Sequence, residues 1–300
     1  MSSIAYATDE KMIEYHRLCG NRTINFWRLS SKKDFTDFHK GDLLFFYAKS
    51  EHSKEKGFVG YAHYVTVNRL SLKQMWKRYG TLNGYDTEEH LKEAIARAAN
   101  GRPIPDRMNC LYLDDVVFFM TPVYPSSVHS KINRTLESYA YLDQENPQMT
   151  MRILKQAEIN GIDIWSASQT AEPVNIFKKD ELRHQMALIC KEVGRYGGSE
   201  NETARAKRLI RKQCLEGYEL IHGTHVECMK ITADSIELRT PFIYSLRDRD
   251  ARLNEIAGRI MRYKYEIAQS GLNLRKVRFE IVSEQPEQEA ASLVEKLNEE

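Results

Sequence analysis

The residues best suited to chemistry lie in the second half of the chain, in Val226-Glu227-Cys228 and in Ser235-Ile236-Glu237-Leu238-Arg239-Thr240. Side chains two apart on a strand share a face, so Glu237 and Arg239 project together and Ile236 and Leu238 oppose them. A preceding strand would bring Glu227 alongside. Two carboxylates can hold a hard divalent cation through oxygen. The cation polarises a phosphate and activates water, while a cationic side chain steadies the developing charge. Glu227 and Glu237 are therefore the candidate Mg²⁺ ligands, and Glu227, Glu237 and Arg239 the candidate catalytic set. Arg239 keeps its proton near neutral pH, so it can grip phosphate but cannot act as a base. Three readings stay open: a metal-dependent centre that cuts phosphodiesters, a binder that has lost that chemistry, and strand charges with no joint role.

Other candidate residues suit binding. Arg205, Arg208 and Lys212 recur at helical spacing on one face. Cations that neutralise phosphates release counterions, which makes affinity steeply salt-dependent. An ordinary solvated helix carries the same pattern. In the first half, Trp27, Tyr47, Tyr61, Tyr64 and Trp76 supply flat rings, and Asn25 shares a strand face with Trp27 as a candidate reader of a base edge. Stacking contributes ~1–3 kcal/mol per base, against a few kcal/mol to take a base out of a duplex. Two rings could hold such a base where one would not. Lys73 and Lys77, close to Trp76 in sequence, are candidate phosphate contacts. The competing account is that the rings fill a core, as aromatics do in small β-rich domains.

The elements that must position these groups change character along the chain. Ile24–Trp27, Leu43–Tyr47, Gly57–Val67 and Cys110–Met120 read as strands, and Lys32–Phe38, Leu72–Tyr79 and Thr87–Ala99 as helices among them. Asn133–Ile159 reads as a helix broken at Pro147, and Gly161–Asn175 as a linker. Beyond it, Glu181–Tyr196 and Glu202–Leu215 read as helices, His225–Ile231 and Ser235–Thr240 as strands, Arg249–Gln269 as a helix and Leu274–Val282 as a final strand.

Two resemblances follow from these residues. Trp27, Gly41-Asp42, Phe46-Tyr47, Gly57-Phe58-Val59-Gly60 and the strand Val117–Pro122 resemble the PUA-like superfamily, especially its EVE and YTH-like branches, over about residues 20–128. That resemblance implies a small β-barrel that binds DNA or RNA, in several members through an aromatic pocket for a modified base. A helical insertion, about Leu70–Arg107, departs from it. Glu227, Glu237-Leu238-Arg239 and Gly258-Arg259-Ile260-Met261-Arg262-Tyr263 resemble the PD-(D/E)XK nuclease superfamily over about residues 181–282. There an acid, a spacer and Glu-x-Lys precede a helix that often carries Gly-Gln-Leu-Leu-x-Tyr. Arg239 stands in place of the Lys and Arg259 in place of the Gln, and Arg259 becomes a candidate phosphate contact. Joined, the two resemblances imply an endonuclease of restriction or defence type acting on modified or foreign DNA. The alternative is a non-catalytic DNA- or RNA-binding or protein-interaction protein with a dead nuclease fold.

Composition bounds these readings. The chain has 300 residues, 42% hydrophobic and 29% charged, which excludes wholesale disorder. Residues 178–278 hold 21 Lys and Arg against 14 Asp and Glu, and residues 279–300 hold seven Glu against one Lys. A basic segment masked by an acidic tail directs attention to nucleic acid. No apolar run reaches the ~18 residues a membrane span needs, and the opening residues do not read as a signal peptide. Five scattered cysteines, never spaced CxxC, argue for reduced thiols, hence a cytoplasmic protein with no membrane partner. A homodimer is left open. The expected architecture is α+β or α/β: a PUA-like barrel with a helical insertion over 1–160, a linker over 161–180, a mixed α/β PD-(D/E)XK-like domain over 181–282, and an acidic tail over 283–300.

Overall fold

The computed structural model describes residues 3–29, 35–49, 55–133, 135–163, 165, 173–194, 196–213, 217–221, 224, 226–232, 235–244, 248–272 and 277–299, with 173–175 and 213 by backbone alone. The chain divides into two compact units, Ser2–Phe177 and Lys178–Glu300. Both mix helices with a sheet. No helix among the described residues is long and apolar enough to cross a membrane.

In the first unit, six strands form one sheet in the order β2-β5-β4-β3-β1-β6. They are β1 Ser3–Ala7, β2 Ile24–Arg28, β3 Leu43–Lys49, β4 Lys56–Leu70, β5 Met108–Val123 and β6 Tyr139–Tyr141. β1 and β3 run parallel, and the other pairs are antiparallel. Three strands separate β1 from β2 in this order, yet the Tyr6 and Phe26 rings meet at 4.9 Å. The sheet is therefore rolled, with Ile4, Tyr6, Phe26, Leu44, Phe46 and Phe118 in one buried cluster. Irregular pairing along β4 and β5 accompanies the roll, as bulges increase local twist. No strand pair joins β2 to β6 among the described residues, so the expected barrel is a roll with an open seam.

The insertion contains α2 Leu72–Tyr79, a 3₁₀ turn Gly80–Asn83 and α3 Glu88–Ala99. Ser71 and Thr87 cap the two helices by accepting from the Gln74 and His90 backbone N–H groups, as N-cap hydroxyls do. Residues 139–141 form β6, and helix α4 occupies only Met149–Asn160, where a longer broken helix was expected. β1 and α1 (Glu10–Cys19) precede the first element that the pattern reveals. The expected helix Lys32–Phe38 lies partly outside the described residues, and its described part, 35–38, is not helical.

The second unit runs helix, helix, three strands, helix, strand, helix. These are α5 Pro173–Val193 (its residues to Phe177 belonging to the first unit), α6 Glu200–Gln213, β7 Glu219–Leu220, β8 Cys228–Ile231, β9 Ile236–Phe242, α7 Arg249–Gln269, β10 Val277–Ser283 and α8 Gln288–Glu299. The sheet order is β10-β9-β8-β7. The meander is antiparallel, and the α7 crossover returns β10 parallel to β9. One sheet face (Met229, Ile236, Leu238, Phe279) packs on α5, α7 and α8. The other packs Cys228 and Val282 on Ile210 of α6. Two expected boundaries change. Residues 173–180, read as linker, are helical. The acidic end, readable from the sequence as an acidic helix or a frayed tail, is a packed helix with Ala290 and Val294 buried.

Candidate functional site

The open seam forms a cleft of about 500 Å³, within the range of small-ligand sites. One wall is the end of β1 with the first turn of α1 (Tyr6, Asp9, Met12), extended by Glu137 and Ser138. The Ala7 N–H donates to the Ser138 carbonyl at 2.7 Å and fixes that extension. The opposite wall is β2, with Phe26, Trp27 and Arg28. The third side is the C-terminal end of α3, with Ala98, Ala99, Arg102 and Pro103.

Asn83 of the insertion holds the β2 wall. The Trp27 indole N–H donates to its carbonyl at 3.2 Å, and the Asn25 amide donates to its Oδ1 at 2.7 Å. The Asn83 amide in turn donates to the Gly80 carbonyl at 2.7 Å. The Arg28 guanidinium stacks over the Phe35 ring at 4.4 Å. The Asp9 carboxylate caps α1, accepting from the Lys11 N–H at 2.8 Å, while its second oxygen takes a longer 3.4 Å bond from the Tyr85 hydroxyl. Burial first, and the Asp9 charge second, push the Tyr85 phenol above its usual range, so it stays a donor. The Arg102 guanidinium donates to the Ala99 carbonyl at 3.3 Å, at the negative end of the helix.

Of the six expected base-binding residues, Trp27 alone lines this cleft. Asn25 is fully buried and committed to Asn83, so it does not read a base edge. Tyr47 and Tyr61 are both 0% exposed. Tyr61 packs among Phe45, Phe119 and Phe177 at 5.5–6.1 Å, and Tyr47 against Phe58 at 5.3 Å. Both belong to the core rather than to a base pocket. Tyr64 leans on Phe38 at 4.9 Å, and Trp76 packs half-buried on the same core. Lys73 and Lys77 are exposed on α2, away from the cleft lining. The cleft residues that sequence reasoning missed are Tyr6, Asp9, Arg28, Arg102 and Glu137. Asp9 is marked locally only by its place as the cap of α1, which the sequence pattern did not reveal, and nothing local marks the others.

The second unit does not assemble the expected metal centre. β8 and β9 pair Cys228 with Arg239 and Lys230 with Glu237. Glu227 then falls opposite Thr240, whose hydroxyl donates to its Oε1 at 3.1 Å. Thr240 alternates with Arg239, so Glu227 occupies the face of Leu238 and Thr240 while Glu237 and Arg239 occupy the other. Glu227 is 0% exposed. Its carboxylate accepts from Arg259 Nε at 2.8 Å and Nη2 at 2.9 Å, and from the Tyr263 hydroxyl at 2.5 Å. Burial drives the Tyr263 phenol and the neighbouring Cys190 thiol well above their usual ranges, keeping both protonated. Arg259 is thus the counter-ion of Glu227 rather than a phosphate contact. On the opposite face, Glu237 accepts from the Tyr218 hydroxyl at 2.5 Å, and Arg239 bonds Glu280 at 2.9 Å while stacking on the Tyr218 ring at 3.7 Å. No group of three or more potential metal-ligating side chains occurs among the described residues.

Arg205, Arg208 and Lys212 do lie on one helix, α6, opposite buried Ala206 and Ile210. Arg208 and Lys212 are exposed. Arg205 is held by Glu284 at 3.1 Å, and Arg205, then Arg208 and Lys212, draw the Glu284 carboxyl below its usual range.

No protein-family model and no curated protein matches the chain. Among solved structures, ASCH from Zymomonas mobilis is 12% identical, over 51% of this chain and 94% of its own, with a TM-score of 0.36. A hypothetical protein from Leishmania major is 14% identical, over 53% of this chain and 96% of its own, with a TM-score of 0.32. Likeness that loose assigns no role to this chain.

Proposed function

We propose that this protein binds nucleic acid and seats a single unstacked base in the seam cleft of its first unit, in the manner that its PUA-like sequence features imply. The observation that carries the reading is the cleft itself, where Trp27, Phe26 and Tyr6 meet Arg28 and Arg102. Trp27 offers a base ~1–3 kcal/mol of stacking beside the largely buried Tyr6 and Phe26, and the two cations offer phosphates charge-assisted bonds. A modified base is the finer form of this reading. The basic face of α6 is a second contact, supplying sequence-independent charge.

The reading is binding rather than cleavage. A Mg²⁺ site needs carboxylates that converge with lone pairs to spare. Glu227 has none to spare and faces away from Glu237. The restriction or defence role depended on that centre and loses its chemical support with it.

The test is retention of fluorescent single-stranded DNA and RNA by the full chain, measured as anisotropy, beside a Trp27→Ala variant shown to be folded. Binding that weakens about tenfold in the variant supports the reading. Equal binding by both proteins, or none by the parent chain, overturns it.

A further inference from the structure

We infer that the cleft selects nucleobases bearing an exocyclic amino group (guanine, cytosine or adenine) over those that lack it, whether a hydrogen stands in its place as in hypoxanthine or a carbonyl as in uracil and thymine. The inference rests on the base-binding reading above and adds its specificity.

The wall formed by β1, α1 and the segment before β6 ends in two carboxylates, Asp9 and Glu137, both exposed to the cleft's solvent. Ionised carboxylates accept hydrogen bonds and donate none. Asp9 commits one oxygen to the α1 cap, and its other holds only the 3.4 Å bond from Tyr85. A phosphate turned toward this wall would meet like charge. The phosphate side of a bound nucleotide therefore faces Arg28 and Arg102, and the base edge faces Asp9 and Glu137. That edge must donate. Cytosine N4, adenine N6 and guanine N2 carry amino donors, whereas thymine or uracil offers O4 at the corresponding position. A carbonyl oxygen there sets acceptor against acceptor, leaving a polar group without a partner.

The experiment isolates the amino group. Short single strands, abasic except at one position, carry guanine or hypoxanthine there, and in a second pair cytosine or uracil. Affinities are measured with the full chain, with Asp9→Asn, with Glu137→Gln and with the double variant. Asparagine is as good an N-cap as aspartate, so α1 survives the change. The expected result is about tenfold tighter binding of guanine over hypoxanthine and of cytosine over uracil, as for a bond to a charged acceptor. That gap closes in the double variant. Strands that all bind alike, or a preference for hypoxanthine and uracil, would overturn the inference and leave the base-binding reading standing. Strands that bind no better than a wholly abasic one would overturn both.

Discussion

Arg259 lays its guanidinium edge-on against the carboxylate of Glu227, with two parallel bonds of 2.8 and 2.9 Å inside the second unit. Arginine is suited to this, since its planar fork matches both carboxylate oxygens and keeps its charge when buried. Removing one partner of such a pair strands a buried charge. Arg259→Ala is expected to cost about 3–5 kcal/mol, read as a lower urea midpoint, whereas Glu237→Ala on the more open face costs less. The same geometry sets the expected response to metal. Mg²⁺ leaves the melting temperature unchanged, and a Mg²⁺-dependent rise that disappears in Glu237→Ala would restore the metal-centre reading.

The basic face of α6 carries the second expectation. If it contacts phosphates, Arg208→Gln and Lys212→Gln each lower the slope of log affinity against log salt by about 0.9 on a duplex. Glu284→Gln frees Arg205 and raises affinity at low salt. Slopes unaltered in all three variants would mean that this face is only a solvated surface.

His16 gives the first unit a pH dependence. The side chain is wholly buried on α1, and burial holds its imidazole down to about 3 from an ordinary 6.5. Between those values the unfolded chain takes up a proton that the folded chain refuses, so stability rises with pH across that window. At about pH 5 the penalty relative to neutral pH is about 2 kcal/mol. His16→Gln is expected to flatten the dependence of melting temperature on pH between neutrality and pH 5. An unchanged slope would mean that His16 accepts its proton without cost.

The C-terminal helix is structural. The Asn298 side chain bridges the backbone of Phe279, accepting from its N–H and donating to its carbonyl, both at 2.9 Å. Asn298→Ala leaves two β10 backbone groups unpaired and is expected to destabilise the second unit by about 1–3 kcal/mol. Equal unfolding midpoints for the variant and the parent chain would return residues 283–300 to the status of a free tail.

Local rules made several elements legible. The helices Leu72–Tyr79, Glu88–Ala99 and Arg249–Gln269 run where the pattern of the chain puts them, within a residue at each end. Alternation alone separates Glu237 and Arg239 from Leu238 on β9. What alternation cannot reveal is register. Pairing Cys228 with Arg239 turns Glu227 onto the opposite face, and a slip of one residue would have brought the two acids together. The cleft lay equally beyond local reading. Asp9, Trp27, Arg102 and Glu137 are far apart in the chain and meet only because six strands roll until β1 approaches β2. Composition and periodicity specify which faces are apolar, while the roll of the sheet, a property of all its strands together, decides which aromatics are sealed and which line an opening.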